Sequence, residues 1–358
     1  MNARQRFLNI MEYGSFDRMP VWHWDAWKET WARWAREGLP EDADPFEFFG
    51  AEPVPFFAHM LQFDWGLLYP RFTEETLEET ETYRVLRQPD GVIAQHSKEQ
   101  SSLPRSIDFL FKDRSGWAEY ERRLQPDPGR LPKDLGTTIE RLRSLDKPRA
   151  VFAGSMVGML RCWMGVENFC CACCVDPDLI RDVTDTIANL MCWFLDQVLP
   201  NMSVDIAWGW EDICFRSGPL IPPAVFKEAV VPAYQKVADR LRSYGCSLYT
   251  VDCDGQIDAL LPLWLEAGVN VMFPVEIGTW ATDPMAFRRQ YGPEIRFVGG
   301  FNKLVLEQDR HAIDAEIERR KPLMAAGGFI PLPDHEITPD TPLDNYRYYL
   351  DKIRELRF

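Results

Sequence analysis

The chain has 358 residues, 46% of them hydrophobic, enough for one large α/β unit or two medium domains. A formal net charge of -15 argues against nucleic acid and anionic membrane surfaces, and against polyanionic substrates unless local arginines override the field. No stretch is long and apolar enough to span a bilayer and the amino terminus lacks a signal-peptide pattern, so a cytoplasmic protein is expected.

In chain order, Arg4 to Tyr13 carries Phe7, Leu8, Ile10 and Met11 at helical spacing. Arg18-Met19-Pro20-Val21-Trp22 reads as a first strand, with His23 just after it. Trp27 to Glu37 reads as a helix with Trp27, Trp31 and Trp34 on a stripe suited to packing. A further strand is expected near Phe63–Tyr69. Residues 74–132 break the alternation. There Thr82–Arg87 and Gly91–His96 flank Gln88-Pro89-Asp90, and Asp90-Gly91 is a hairpin turn. Asp113–Leu124 follows as a short amphipathic helix, then a loop from Pro126 to Pro132.

From Arg149 onward strands are expected near Ala150, Val204, Ser247, Val269, Ile295 and Gly328. Helices fill the gaps, notably Asp178–Val198, Pro223–Ser243, Gln256–Glu266 and Ala312–Ala325. Eight strands with intervening helices specify a single (β/α)8 barrel of the TIM type over residues 1–358, elaborated by the 74–132 insertion in its N-terminal part. An open doubly wound sheet would want a Gly-rich fingerprint after its first strand, and none is present.

The nine cysteines are expected to be reduced, since a core of this size needs no disulfide staples. Cys170-Cys171-Ala172-Cys173-Cys174 lacks a second Cys/His pair for a zinc site and reads as buried small helix residues.

Four apolar runs end in acids or imidazole. Asp205–Asp212 ends in Glu211 and Asp212, Leu248–Gly255 in Asp252 and Asp254, Val269–Glu276 in Glu276, and Gly328–His335 in His335. Ligands bind beyond the carboxyl ends of parallel strands, so these groups should converge. Asp252 and Asp254, two apart, lie on one side of a strand and with His335 suit a facial metal site. Without metal, the same groups could serve as a general acid/base pair. Any one of the acids could instead cap the next helix or pair with a cation. Glu211, Asp212 and Glu276 are the candidate catalytic carboxylates. Arg161, Trp208, Asn302, Lys303 and His23, at or near strand ends, are candidate substrate contacts.

Phe16-Asp17-Arg18-Met19-Pro20-Val21-Trp22, Ile221 to Glu228 followed by Val231-Pro232-Ala233-Tyr234, and Pro342-Leu343-Asp344-Asn345-Tyr346 resemble signatures of the uroporphyrinogen decarboxylase superfamily. The resemblance implies a (β/α)8 barrel and two chemistries. Its decarboxylases follow the first strand with arginines that grip substrate carboxylates, where this chain has Asp25 and Glu29. Its cobamide-dependent methyltransferases hold zinc through a His-x-Cys motif and a later Cys. Here Asp252, Asp254 and His335 stand at those places, and Cys253 is out of register.

The first expectation is therefore a methyltransferase-like enzyme acting on a small metabolite. It would be assisted by a divalent metal, zinc or a harder ion, at Asp252, Asp254 and His335. By the resemblance alone, a corrinoid protein would be the methyl partner. The alternatives are a metal-free decarboxylase of a porphyrinogen or smaller acid, and a non-catalytic small-ligand-binding barrel. A homodimer is compatible with the sequence.

Overall fold

The structure, a computed structural model, describes residues 1–98, 104–278, 280 and 282–358. It is α/β, organised on a seven-stranded parallel sheet. We number strands in chain order: β1 Trp22–His23, β2 Glu52–Pro53, β3 Met60–Leu61, β4 Glu75–Glu79, β5 Tyr83–Arg87, β6 Val92–Ser97, β7 Arg105–Phe109, β8 Ala150–Phe152, β9 Ile206–Trp210, β10 Cys214–Phe215, β11 Gly218–Pro219, β12 Tyr249–Asp252, β13 Val271–Phe273, β14 Arg296–Phe301 and β15 Phe329–Pro333. The sheet runs β15-β14-β13-β12-β9-β8-β3. Every residue of β8, β12, β13 and β15 is buried, as a sheet covered on both faces requires.

β1 pairs in parallel with β2 rather than with the sheet, while Ala26 and Ile337 form a parallel bridge between the segments following β1 and β15. The first strand is thus shorter and later than Arg18–Trp22. The strand expected at Phe63–Tyr69 lies instead at Met60–Leu61, because Leu67 takes a left-handed backbone (φ 59°) that no strand accommodates. The helix expected over Gln256–Glu266 is confined to Leu261–Glu266.

The long helix Pro177–Val198 shows how local sequence sets the elements. Asp176 caps it by accepting from the Leu179 N–H, and Pro177 occupies its first turn. Its buried stripe includes Leu179, Val183, Ile187, Leu190 and Phe194. Residues 75–109 form an antiparallel sheet, β4-β5-β6-β7, whose β5–β6 hairpin turns at Asp90-Gly91 with Gly91 at φ 86°. Residues 99–103 of that segment lie outside the described residues. Asp113 caps the helix Arg114–Arg123 through the Ser115 N–H.

Trp34 ties the two ends of the chain together. It is fully buried, stacks on Tyr346 at 5.1 Å and donates its indole N–H to the Thr341 carbonyl at 3.0 Å. Burying such a ring contributes on the order of 3 kcal/mol. All nine cysteines are free thiols. Cys171 and Cys174 are exposed, however, so the Cys170–Cys174 run is only partly a packing feature. Among the described residues no helix is long and apolar enough to cross a membrane.

Candidate active site

The register of β9, β12 and β13 sets Trp210, Asp252 and Phe273 side by side at the carboxyl edge of the sheet. Just beyond, the Glu211 N–H donates to the Asp252 carbonyl at 2.8 Å and the Asp254 N–H donates to Asp212 Oδ1 at 3.3 Å. Asp212 takes φ 48°, a conformation rare outside glycine, which swings its carboxylate away from the path of Glu211. The consequence is a cluster. Asp212, Asp252 and Asp254 each offer a carboxylate oxygen within 4.8 Å of the others.

Crowding and burial shift these groups. Burial first, then the charges of Asp212 and Asp254, push Asp252 well above the carboxylate range, and the Trp208 indole N–H works against them. Asp212 is pushed up to about 6 by burial and by Asp254, with Arg161 and His335 opposing. Without a cation, burial and mutual repulsion therefore hold a proton in the cluster to higher pH than an ordinary carboxylate would. His335 Nε2 lies 3.2 Å from Asp254 Oδ2. Burial acts to lower the His335 pKa, but the hydrogen bond and charge of Asp254 outweigh it and raise the value.

His335 stands outside the carboxylate cluster, so Asp212 rather than His335 completes the oxygen set with Asp252 and Asp254. Glu211 is not an available base. It is fully buried, and its oxygens accept from Met156 N (2.7 Å), Val157 N (2.9 Å), Gly158 N (2.6 Å) and the Tyr234 hydroxyl. It anchors the start of the helix Gly158–Met164, and a Cβ at Gly158 would run into the Glu211 carbonyl oxygen. Burial pushes its carboxyl up to about 7 against those four donors.

Glu276 is likewise committed. It accepts from Gly255 N at 2.8 Å and from the Trp280 indole, and Lys303 Nζ lies 3.9 Å away. Lys303 is nearly buried against it and is not a free substrate contact. The Asn302 side chain accepts from Leu304 N at 3.0 Å, capping its own turn. Asp334 escaped the sequence reading. Its buried carboxylate accepts from Ile277 N (2.7 Å), Gly278 N (3.0 Å) and Lys303 N (2.9 Å), joining the loops after β13, β14 and β15.

His23 belongs to the core. It is 2% exposed, ringed by Trp31, Phe46, Phe49 and Tyr346, and shares a 2.7 Å hydrogen bond between its Nδ1 and the Tyr346 hydroxyl. Burial holds its pKa down at about 4 against an ordinary 6.5. The unfolded chain therefore binds more protons between those values, and stability falls as pH drops from 6.5 toward 4. The loss should reach about 3 kcal/mol, and urea unfolding of the His23→Gln variant should show a correspondingly flatter acid limb.

Arg161 does face the cluster, lowering the pKa of Asp212. Its guanidinium lies over Trp210 at 5.6 Å, and its Nε is buried without a hydrogen-bond partner. Trp208 is buried and lies in an aromatic wall that the sequence did not reveal: Trp24, Phe57, Trp65 and Phe273 complete it. The only signal was aromatic enrichment just after the first two short strands.

A thiolate zinc site does not fit these residues. Cys253 is 2% exposed, and burial followed by Cys214 pushes its thiol well above the ordinary value. An all-oxygen set instead suits a harder divalent cation.

Among curated proteins no match is found. Among solved structures, a methyltransferase from Methanosarcina mazei is similar over 99% of both chains, with a TM-score of 0.63 and 17% sequence identity, a likeness of fold. The family model for uroporphyrinogen decarboxylase (URO-D) matches residues 112–356, more than half of the chain. By that match the chain belongs to the uroporphyrinogen decarboxylase family.

Proposed function

We propose that the protein is a methyltransferase-like enzyme whose reaction takes place at the Asp212–Asp252–Asp254 cluster. The reading takes the eight strand segments, β1 included, to close one barrel over residues 1–358, with residues 74–132 inserted beside its mouth. The observation that carries it is the convergence of three carboxylates from two adjacent strand ends, within 4.8 Å, beside the Arg161 guanidinium.

A divalent cation would be held by Asp212, Asp252 and Asp254 and would supply Lewis acidity toward a substrate oxygen. Arg161 would bind an anionic substrate group. The methyl group would pass to an external nucleophile, its former carrier atom keeping the electron pair. His335, held by Asp254, would deliver a proton to that atom from Nε2. The aromatic wall of Trp24, Phe57 and Trp65 would exclude water. A corrinoid-carrying protein is the methyl partner that the superfamily resemblance suggests, and the acidic surface is compatible with a cytoplasmic small-molecule enzyme. Transfer of methyl to cob(I)alamin from a panel of small methylated ammonium, sulfonium and aryl ether donors, followed by absorbance, tests this. Turnover supports the reading, and no turnover with any donor counts against it.

A second reading, metal-free decarboxylation, draws support from the burial-raised proton affinity of Asp252, whose protonated form could quench the carbanion left by loss of carbon dioxide. Uroporphyrinogen itself should not be the substrate. Asp25 and Glu29 are exposed at the start of the helix Lys28–Arg36, and Asp25 raises the pKa of Glu336 beside His335. A polycarboxylate would meet repulsion there that Arg161 alone does not offset. Incubation with uroporphyrinogen should yield no coproporphyrinogen, and robust formation would make decarboxylation the function.

A further inference from the structure

The carboxylate cluster sits inside an arc of rings. His335 faces Trp24 (5.6 Å), Trp24 stacks with Phe57 (5.9 Å), Phe57 meets Trp208 (5.7 Å), Trp208 meets Trp65 (5.0 Å) and Trp65 meets Trp210 (5.5 Å). The arc is tethered to the acids throughout. His335 bonds Asp254, Trp208 acts on Asp252, and Arg161, over Trp210, acts on Asp212. Two of its rings are open to solvent, Trp65 at 43% and Phe57 at 37%. Large rings left exposed beside a cluster of buried acids suit an occupant.

Its chemistry follows from what the arc offers. Aromatic faces backed by carboxylates attract a diffuse, weakly hydrated cation. Three carboxylates also outnumber the two charges of a divalent ion, so the cluster itself keeps a negative charge with the metal bound. At one end of the arc Arg161 is the exception. Among the described residues no carboxylate pairs with it, and its Nε is buried without a partner. Trp208, 1% exposed, likewise has no hydrogen-bond partner of ordinary geometry for its indole N–H, which acts on Asp252 at the site. Unused donors beside an acidic cluster call for a ligand that also brings an acceptor.

We infer that the substrate is a compact methylated ammonium carboxylate, its onium head against Trp65 and Phe57 and its carboxylate on Arg161. This rests on the methyl-transfer reading and names its methyl donor. The C–N bond to one methyl breaks, the methyl goes to the acceptor nucleophile, and the electron pair stays on nitrogen, leaving a neutral tertiary amine. The acceptor is a reduced, cobalt(I) corrinoid on the corrinoid-carrying partner proposed above, whose own electron pair forms the new bond to the methyl.

Calorimetric titration of the intact protein, with Mn(II) and after chelation, tests the inference with three probes: glycine betaine, its uncharged-head isostere 3,3-dimethylbutanoate, and choline, which lacks the carboxylate. Glycine betaine should bind about tenfold or more tighter than either comparator. Trp65→Ala should erase the preference over the isostere while Trp65→Phe keeps most of it, and Arg161→Gln should weaken glycine betaine but not choline. Equal binding of glycine betaine and the isostere, or no binding of any probe, overturns the inference. Tight, selective glycine betaine binding without methyl passing to cob(I)alamin would uphold the ligand class and sink the methyl-transfer reading instead. Methyl transfer from uncharged donors only would do the reverse.

Discussion

Glu211→Ala should cost about 3–5 kcal/mol of stability, enough to leave much of the protein unfolded at ambient temperature. The substitution removes the acceptor for three backbone N–H groups, those of Met156, Val157 and Gly158, and for the Tyr234 hydroxyl, all in a region without access to water. Each orphaned donor carries a desolvation penalty, and the helix Gly158–Met164 loses the carboxylate at its positive end. Glu211→Gln should be nearly as damaging, because its amide would turn a donor toward donors. Tyr234→Phe removes a single bond and should cost about 1–2 kcal/mol. Urea unfolding with matched slopes measures all three. A mild effect of Glu211→Ala would mean that the start of this helix is held by something other than the carboxylate.

Asp252→Asn should have the opposite signature. Divalent-metal affinity should fall by at least about 100-fold and turnover by a similar factor. The metal-free protein should nevertheless be as stable as before, or more stable by about 1 kcal/mol, since one of three crowded carboxylates is gone. The cluster is held together against its own repulsion, and burial is the main reason Asp252 resists ionising. Loss of function with a gain in stability distinguishes a reactive cluster from a structural ion-pair network, whose disruption would destabilise.

The strand ends were legible in the sequence because a parallel strand buried on both faces is a short apolar run, and the residue that ends the run marks the sheet edge. The Asp90-Gly91 hairpin was legible for an equally local reason, the left-handed backbone that Gly91 accepts. Phe63–Tyr69 misled because its aromatic composition imitates a strand, while the positive φ of Leu67 turns it into the loop that delivers Trp65 to the site. The division of labour between Glu211 and Asp212 could not be read either. Adjacent acids look equivalent until the backbone of Asp212 flips to φ 48° and sends one carboxylate inward to a helix terminus and the other to the cluster. His23 failed for a tertiary reason: its hydrogen-bond partner, Tyr346, comes from the last helix.

The measurement closest to the central claim is the metal content of the purified protein, determined by elemental analysis beside Asp254→Ala. Close to one equivalent of a divalent metal per chain is expected after equilibration with Mn(II) or Zn(II) and gel filtration, with loss of most of it in the variant. Metal retained equally by both proteins, or bound by neither, would contradict a metal centre at Asp212, Asp252 and Asp254.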